Sequence, residues 1–324
     1  MLSLMAKTIA HPLRALAATA KILGFVAIAA GLFVAASIVA FSAQRRADAA
    51  AQRTRLAADR SLGDDLPFDR VRLLATHNSY RRAAGPLRLF YIGLVDSSWP
   101  PKLAYSHPPL TEQLDSGLRS FELDVRANSS GFELAHVPLV DDYSFLDPAL
   151  RPWDAAAFDR LDAVIRSGLG KRLVEPDELR RGASSLAGTL LGRGWPRLGA
   201  LRGRFIVILH KNEAYRAIYT AGRPSLQGRA MLDCAPPGSP DAAVDVLNDP
   251  VGDAGAIRTE SAAGILVRTR ADADLEHSAA MLDAALSSDA RIVSTDFPPG
   301  HPMPDGYVGE LPGGRTMDAL APRP

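Results

Sequence analysis

Seven short apolar runs, each strand-length and each closed by polar or turn residues, constrain this chain most. They are VRLLAT (71–76), FELDV (121–125), FELAH (132–136), FIVILH (205–210), AMLDC (230–234), GILVRT (264–269) and RIVSTD (291–296). Between them, 154–169 and 273–288 repeat apolar residues at three and four, the spacing of a helix that buries one side. Strand, helix and strand in turn is the pattern of βα units around a parallel sheet. The expectation is an α/β fold: a single, irregular TIM-like (β/α) barrel over 67–324. The Pro- and Gly-containing tail beyond Pro298 reads as an irregular strap.

The front of the chain is of another kind. From Ile22 to Ala43 it runs 22 residues without a charge, and a helix of that length crosses a hydrocarbon core of about 30 Å. Lys7, Arg14 and Lys21 precede this run, which exceeds the roughly 7–15 apolar residues of a cleaved signal peptide. The expected division is a cytoplasmic segment (1–21), a transmembrane signal anchor (22–43), a linker (44–66) and then the barrel. The catalytic domain would stand outside the cytoplasm, secreted if the front is cleaved. Lys and Arg number 37 against 36 Asp and Glu, so a general nucleic-acid role, which runs on a basic excess, is excluded. Cys234 is the single cysteine; it cannot form an internal disulfide or a multi-thiolate metal site and reads as a packing residue.

Active sites of barrels gather at the C-terminal ends of the strands, and here those ends are unusually polar. The first run leads into His77-Asn78-Ser79-Tyr80, the third ends at His136 and the fourth at His210. In the second, Glu122 and Asp124 share one face by alternation, leaving Phe121, Leu123 and Val125 to pack on the other. Two carboxylates ~7 Å apart repel by about 2 kcal/mol at an effective dielectric near 20. A divalent cation relieves that, and hard oxygens joined by the Asn78 amide suit Ca²⁺ or Mg²⁺. The alternative is pairing with Arg119, Arg126 or Arg268; Arg126 and Arg268 are also the candidate substrate-binding cations. His77 and His136, on strands flanking the carboxylates, can bracket one phosphorus atom, one taking a proton and the other giving one.

The segments THNSY (76–80), SHPPLTEQLDSGLRSFELDV (106–125), AH (135–136), AGRPSLQGRAM (221–231), APPGSPDAAV (235–244), NDP (248–250), VRTRADAD (267–274) and VSTDFP (293–298) together resemble the calcium-dependent bacterial phosphatidylinositol-specific phospholipases C. The resemblance spans about residues 68–314 and implies a TIM-like barrel that cleaves a phosphoinositide with Ca²⁺ as cofactor. It makes His77 the base for the inositol 2-hydroxyl and His136 the acid for the diacylglycerol oxygen, giving a cyclic inositol phosphate first. Asn78, Glu122 and Asp124 become metal ligands. A carboxylate expected at the end of the fourth strand is replaced by His210, with Glu213 three residues on; an imidazole there loosens the calcium assignment and leaves Mg²⁺ or another divalent ion open.

The long connection 86–105 collects Phe90, Tyr91, Ile92, Leu94, Val95 and Trp99 on the active-site side. These either meet a lipid headgroup layer or cover the barrel. Two other functions compete with the lipase. One is a glycerophosphodiester phosphodiesterase, whose His-Arg-Gly is replaced here by His-Asn-Ser; the other is a membrane-tethered headgroup-binding domain with weak catalysis.

Overall fold

The computed structural model describes residues 29–40, 42–43, 46, 50, 53, 61–83, 85–100, 105–134, 151–273, 275–303 and 305–321. The chain forms two compact units, 1–54 and 55–324. In the first, residues 29–40 are helical and exposed. Part of the expected anchor, 22–28 and Phe41, lies outside the described residues, among which no helix is long and apolar enough to cross a membrane.

The second unit is built around β1 (Val71–Thr76), buried at all six positions. A continuous apolar run suits a parallel strand covered on both faces. On one edge β1 pairs in parallel with β9 (Ile292–Thr295). Its other edge takes β2 (Ser120–Phe121) in parallel and β10 (Met317–Ala319) antiparallel. β8 (Leu266–Arg270) and β7 (Val244–Val246) extend the parallel order beyond β9. A Cys234–Val244 bridge leads on to β6 (Leu232–Asp233) and its parallel partner β5 (Ile208–Leu209). The architecture is an α/β, TIM-like half-barrel.

Three expectations need correction. The run 132–136 is not a parallel neighbour of 121–125: β3 (Val125–Asn128) and β4 (Gly131–Leu134) form an antiparallel hairpin in a sheet of their own. The turn dictates this, since Asn128 Oδ1 accepts from both the N–H and the hydroxyl of Ser130 at 2.9 Å and Gly131 takes φ +144°. The run 121–125 is itself broken between β2 and β3, and Leu123 is exposed rather than packed. Finally, the tail is not wholly irregular, because β10 lines up Asp318 opposite Arg72. Arg72 donates to both Asp318 oxygens, at 3.0 and 2.6 Å.

Helix 155–169 opens as expected at Asp154, whose carboxylate caps the Ala157 N–H at 2.7 Å. The later helix is shorter than its periodicity suggests: it covers 279–287 after a Ser278 cap, because Leu275 at φ +62° and an Ala273–Glu276 bridge turn the chain first.

Alternation then assigns each face. On β8, Leu266 enters the large core with Val244, Val246 and Trp195, whereas Val267 packs outward on Ile257 of helix 254–262. On β9 and β1, Val293 and Leu74 pack outward with Ala285 of helix 279–287. The inner face therefore carries Leu266, Arg268 and Arg270 on β8, and Ile292, Ser294 and then Asp296 along β9. On β1 it carries Leu73, Ala75 and then His77. Its lower part is apolar; its C-terminal end holds the charged groups. The four apolar cores among the described residues lie within 55–324, so this unit carries the apolar burial that drives folding.

Candidate active site

β1 and β9 pair in the register Thr76↔Thr295, which brings the next residues, His77 and Asp296, side by side. The His77 N–H donates to the Thr295 carbonyl at 3.1 Å, and His77 Nδ1 lies 2.7 Å from Asp296 Oδ1. An ionised Asp296 accepts only, so Nδ1 carries the proton and Nε2 keeps its lone pair. Burial opposes ionisation of Asp296, but the hydrogen bond from His77, with the Arg270 charge behind, holds its carboxyl below the usual range. Arg270 reaches Asp296 Oδ2 at 3.3 Å, and Asp272 accepts the Asp296 N–H at 2.7 Å. Below the histidine, His107 Nε2 donates to the His77 carbonyl at 2.9 Å. Burial pushes the His107 imidazole down to about 4, so it is neutral and serves as a fixed donor.

Asn78 follows at φ +48°, a left-handed conformation that asparagine tolerates better than most residues. In this turn the Ser79 N–H donates to the Glu122 carbonyl at 2.9 Å and the Glu122 N–H donates to Ser79 Oγ at 2.8 Å, fixing Glu122 beside the histidine. Glu122 Oε1 is 3.9 Å from His77 Nε2, and Oε2 accepts from the Arg268 guanidinium at 2.5 Å. Arg268, 8% exposed, also donates to Ser294 Oγ at 2.9 Å and Asn248 Oδ1 at 3.3 Å. His210 Nε2 lies 3.3 Å from the same guanidinium. Burial and the Arg268 charge lower the His210 pKa against the pull of Glu122, as befits a neutral acceptor. Asp124 accepts from the Tyr80 hydroxyl at 2.9 Å, and Asn78 donates to the Tyr105 oxygen at 3.2 Å. Arg126 stands on the β3–β4 hairpin in register with Glu133, and His136 lies outside the described residues.

This arrangement offers an oriented base and a buried guanidinium, the equipment for moving a proton beside a phosphate. The family model described as phosphoinositide phospholipase C, Ca²⁺-dependent, matches residues 66–144 and 144–320. The chain belongs to this family of enzymes. Two solved structures of a calcium-dependent phosphoinositol-specific phospholipase C from Pseudomonas sp are similar in fold, at TM-scores of 0.53 and 0.51. Each is 13% identical, with 79% of this chain and 96% of that one covered. A phosphatidylinositol-specific phospholipase C from Streptomyces antibioticus aligns at a TM-score of 0.47 and 17% identity, covering 71% of this chain and 95% of its own. No curated protein matches the sequence.

The family description names calcium, yet the donors do not fit a divalent ion as they are arranged. The Arg268 guanidinium neutralises Glu122 and sits against His210 Nε2, while Asp124 is taken up by Tyr80. Among the described residues no three His, Cys, Asp or Glu side chains converge as metal ligands. Of the expected ligands Asn78, Glu122, Asp124 and His210, two, Glu122 and His210, both meet the Arg268 guanidinium, which stands between them.

Alternation pointed to Glu122, but Asp296, Arg270 and His107 escaped sequence reasoning. The signal was present in VSTDFP, where Asp296 directly follows a buried parallel strand. Two predictions follow from the geometry. Asp296→Asn keeps the shape but loses the charge that selects the His77 tautomer, and kcat should fall by about 10²–10⁴ with KM little changed; wild-type turnover would remove Asp296 from the mechanism. Calcium titrated into residues 55–324 should bind no more tightly than about 10⁻³ M, because it must first displace Arg268, and Arg268→Gln should tighten it at least tenfold. Sub-micromolar binding to the wild type would contradict the guanidinium's place.

Proposed function

We propose that the chain cleaves the phosphodiester of a phosphoinositide, with the inositol 2-hydroxyl as nucleophile. The observation that carries this reading is the His77–Asp296 pair at 2.7 Å on the inner face that also presents Arg268. His77 Nε2 takes the hydroxyl proton as the oxygen–phosphorus bond forms. The bond from phosphorus to the glycerol oxygen breaks, and His136 protonates that oxygen, giving a cyclic inositol phosphate and diacylglycerol. Arg268, and Arg270 on the same face, stabilise charge on the phosphoryl oxygens. In a second round His136 takes a proton from water, His77 returns one to the 2-oxygen, and the ring opens. The role of His136 rests on the match of its Ala-His pair to the family. One of the Pseudomonas structures is a myoinositol complex, which supports an inositol headgroup.

The same reading makes the membrane a partner, with residues 22–43 as anchor and the catalytic unit outside the cytoplasm. Leu32, Phe33, Val34, Ile38 and Val39 are exposed along helix 29–40, in keeping with a lipid environment.

The full chain, expressed in a bacterial host, should remain with carbonate-washed membranes. On phosphatidylinositol in mixed micelles, ³¹P NMR should show a cyclic phosphate before the monoester. His77→Ala should lower the rate by about 10²–10⁴. Cleavage of glycerophosphodiesters with phosphatidylinositol untouched would replace this function with the glycerophosphodiesterase; turnover of neither would leave a headgroup-binding domain.

A further inference from the structure

Just beyond β8 the chain carries a carboxylate that the proposed reaction does not use. Asp272 is 0% exposed, and an ionised side chain in such a place needs donors on its oxygens. Among the described residues three side-chain or backbone donors reach its carboxylate. Oδ1 accepts the Asp296 N–H at 2.7 Å, and Oδ2 accepts the Thr295 hydroxyl at 2.5 Å and the Tyr307 hydroxyl at 3.1 Å.

These contacts bear on where Asp296 points. Asp296 lies one residue past the end of β9, where the strand pairing with β1 stops. Its own N–H is held by Asp272, and the next one, of Phe297, is held at 2.9 Å by the same Thr295 hydroxyl oxygen that donates to Asp272. Arg270 closes the arrangement: Nε donates to the Asp272 carbonyl at 2.9 Å, and a terminal nitrogen reaches Asp296 Oδ2 at 3.3 Å. With the backbone pinned on both sides and Oδ2 on Arg270, Oδ1 is left directed at His77 Nδ1, 2.7 Å away.

The chain beyond β9 returns to brace the buried carboxylate. Burial pushes the Tyr307 phenol up from its usual range, so Tyr307 stays a donor at any working pH. Its ring stacks on His277, with centroids 4.0 Å apart and planes 5° from parallel, and His277 Nε2 lies 2.8 Å from Asp305 Oδ2. Gly309 donates its N–H to the Phe297 carbonyl at 2.9 Å, and a methyl group there would stand 2.6 Å from the Thr295 Cβ. Only a bare backbone fits against the threonine that serves Asp272.

We propose that Asp272, braced by Tyr307, is a positioning residue for phosphodiester cleavage. It fixes the Asp296 peptide so that the Asp296 carboxylate stays on His77 Nδ1 and leaves His77 Nε2 free to take a proton. This rests on the reading of His77 as the base. A catalytic group misplaced by ~1 Å loses about 10²-fold in rate, so a residue that only aims the pair still governs turnover.

The test uses the full chain in mixed micelles with phosphatidylinositol, and follows the downfield ¹H NMR signal of the His77 Nδ1–H, assigned by its loss in His77→Ala. Asp272→Ala should lower kcat by about 10–100-fold with KM little changed, and should weaken or remove that signal. Asp272→Asn should recover most of both, because its amide oxygen still accepts the Asp296 N–H. Tyr307→Phe removes one hydroxyl; it should shift the signal and lower kcat by less than the Ala variant does, and it decides the matter should Asp272→Ala fail to fold. A wild-type signal and kcat in Asp272→Ala with only a lower melting temperature, an Asn variant as impaired as the Ala variant, or a Tyr307→Phe variant identical to wild type would each overturn the proposal. Loss of the signal in Asp272→Ala, in a protein that turns over no phosphodiester, would uphold the positioning and defeat the catalytic reading alone.

Discussion

The parallel pairing of β1 with β9 is the constraint on which the site depends. Its register sets Thr76 against Thr295, and the inner-face residues one step beyond are His77 and Asp296. The two are separated by 219 positions in the chain; only the strand pairing brings them together. Because side chains alternate, the inner face that carries Leu73 and Ala75 into the core must carry His77 out at the top. A slip of one residue would turn the histidine outward and the core strand inside out together. Stability and chemistry are specified by one register, and β10 secures it from the other edge through Asp318 on Arg72.

A second dependence is electrostatic. Glu122 and Asp124 pose the repulsion expected of two carboxylates on nearby positions, and the protein answers it with two internal partners. Arg268 takes one carboxylate as an ion pair, and Tyr80 donates to the other. Buried charges need partners of this kind. Arg268 is held by Glu122, Ser294 and Asn248 together, so its guanidinium is fixed in one orientation. Preorganised charge of this type costs no rearrangement when charge develops in the transition state.

Much of this was legible along the chain. VRLLAT matches β1 residue for residue, and the helix read from Asp154 to Leu169 forms with Asp154 as its cap. Arg268 stood among the partners foreseen for the carboxylates. Other features were hidden for physical reasons. FELDV reads as one strand by alternation alone, but a tight turn at Asn128–Gly131 claims its last residue, Val125, for a hairpin. The three residues of β10 have no periodicity to show; their pairing rests on a contact 246 positions away, Arg72 to Asp318. The apolar residues of 86–95 are visible in sequence, but only the structure shows Phe90, Tyr91, Leu94 and Val95 exposed.

The most direct test of the account is a crystal structure of residues 55–324 with myo-inositol 1-phosphate bound. The ligand's 2-hydroxyl should lie about 2.6–3.2 Å from His77 Nε2, with Asp296 still on Nδ1 and a phosphate oxygen on Arg268. An inositol bound with its phosphate away from Arg268, or with His77 turned off Asp296 and out of reach of the hydroxyl, would contradict it.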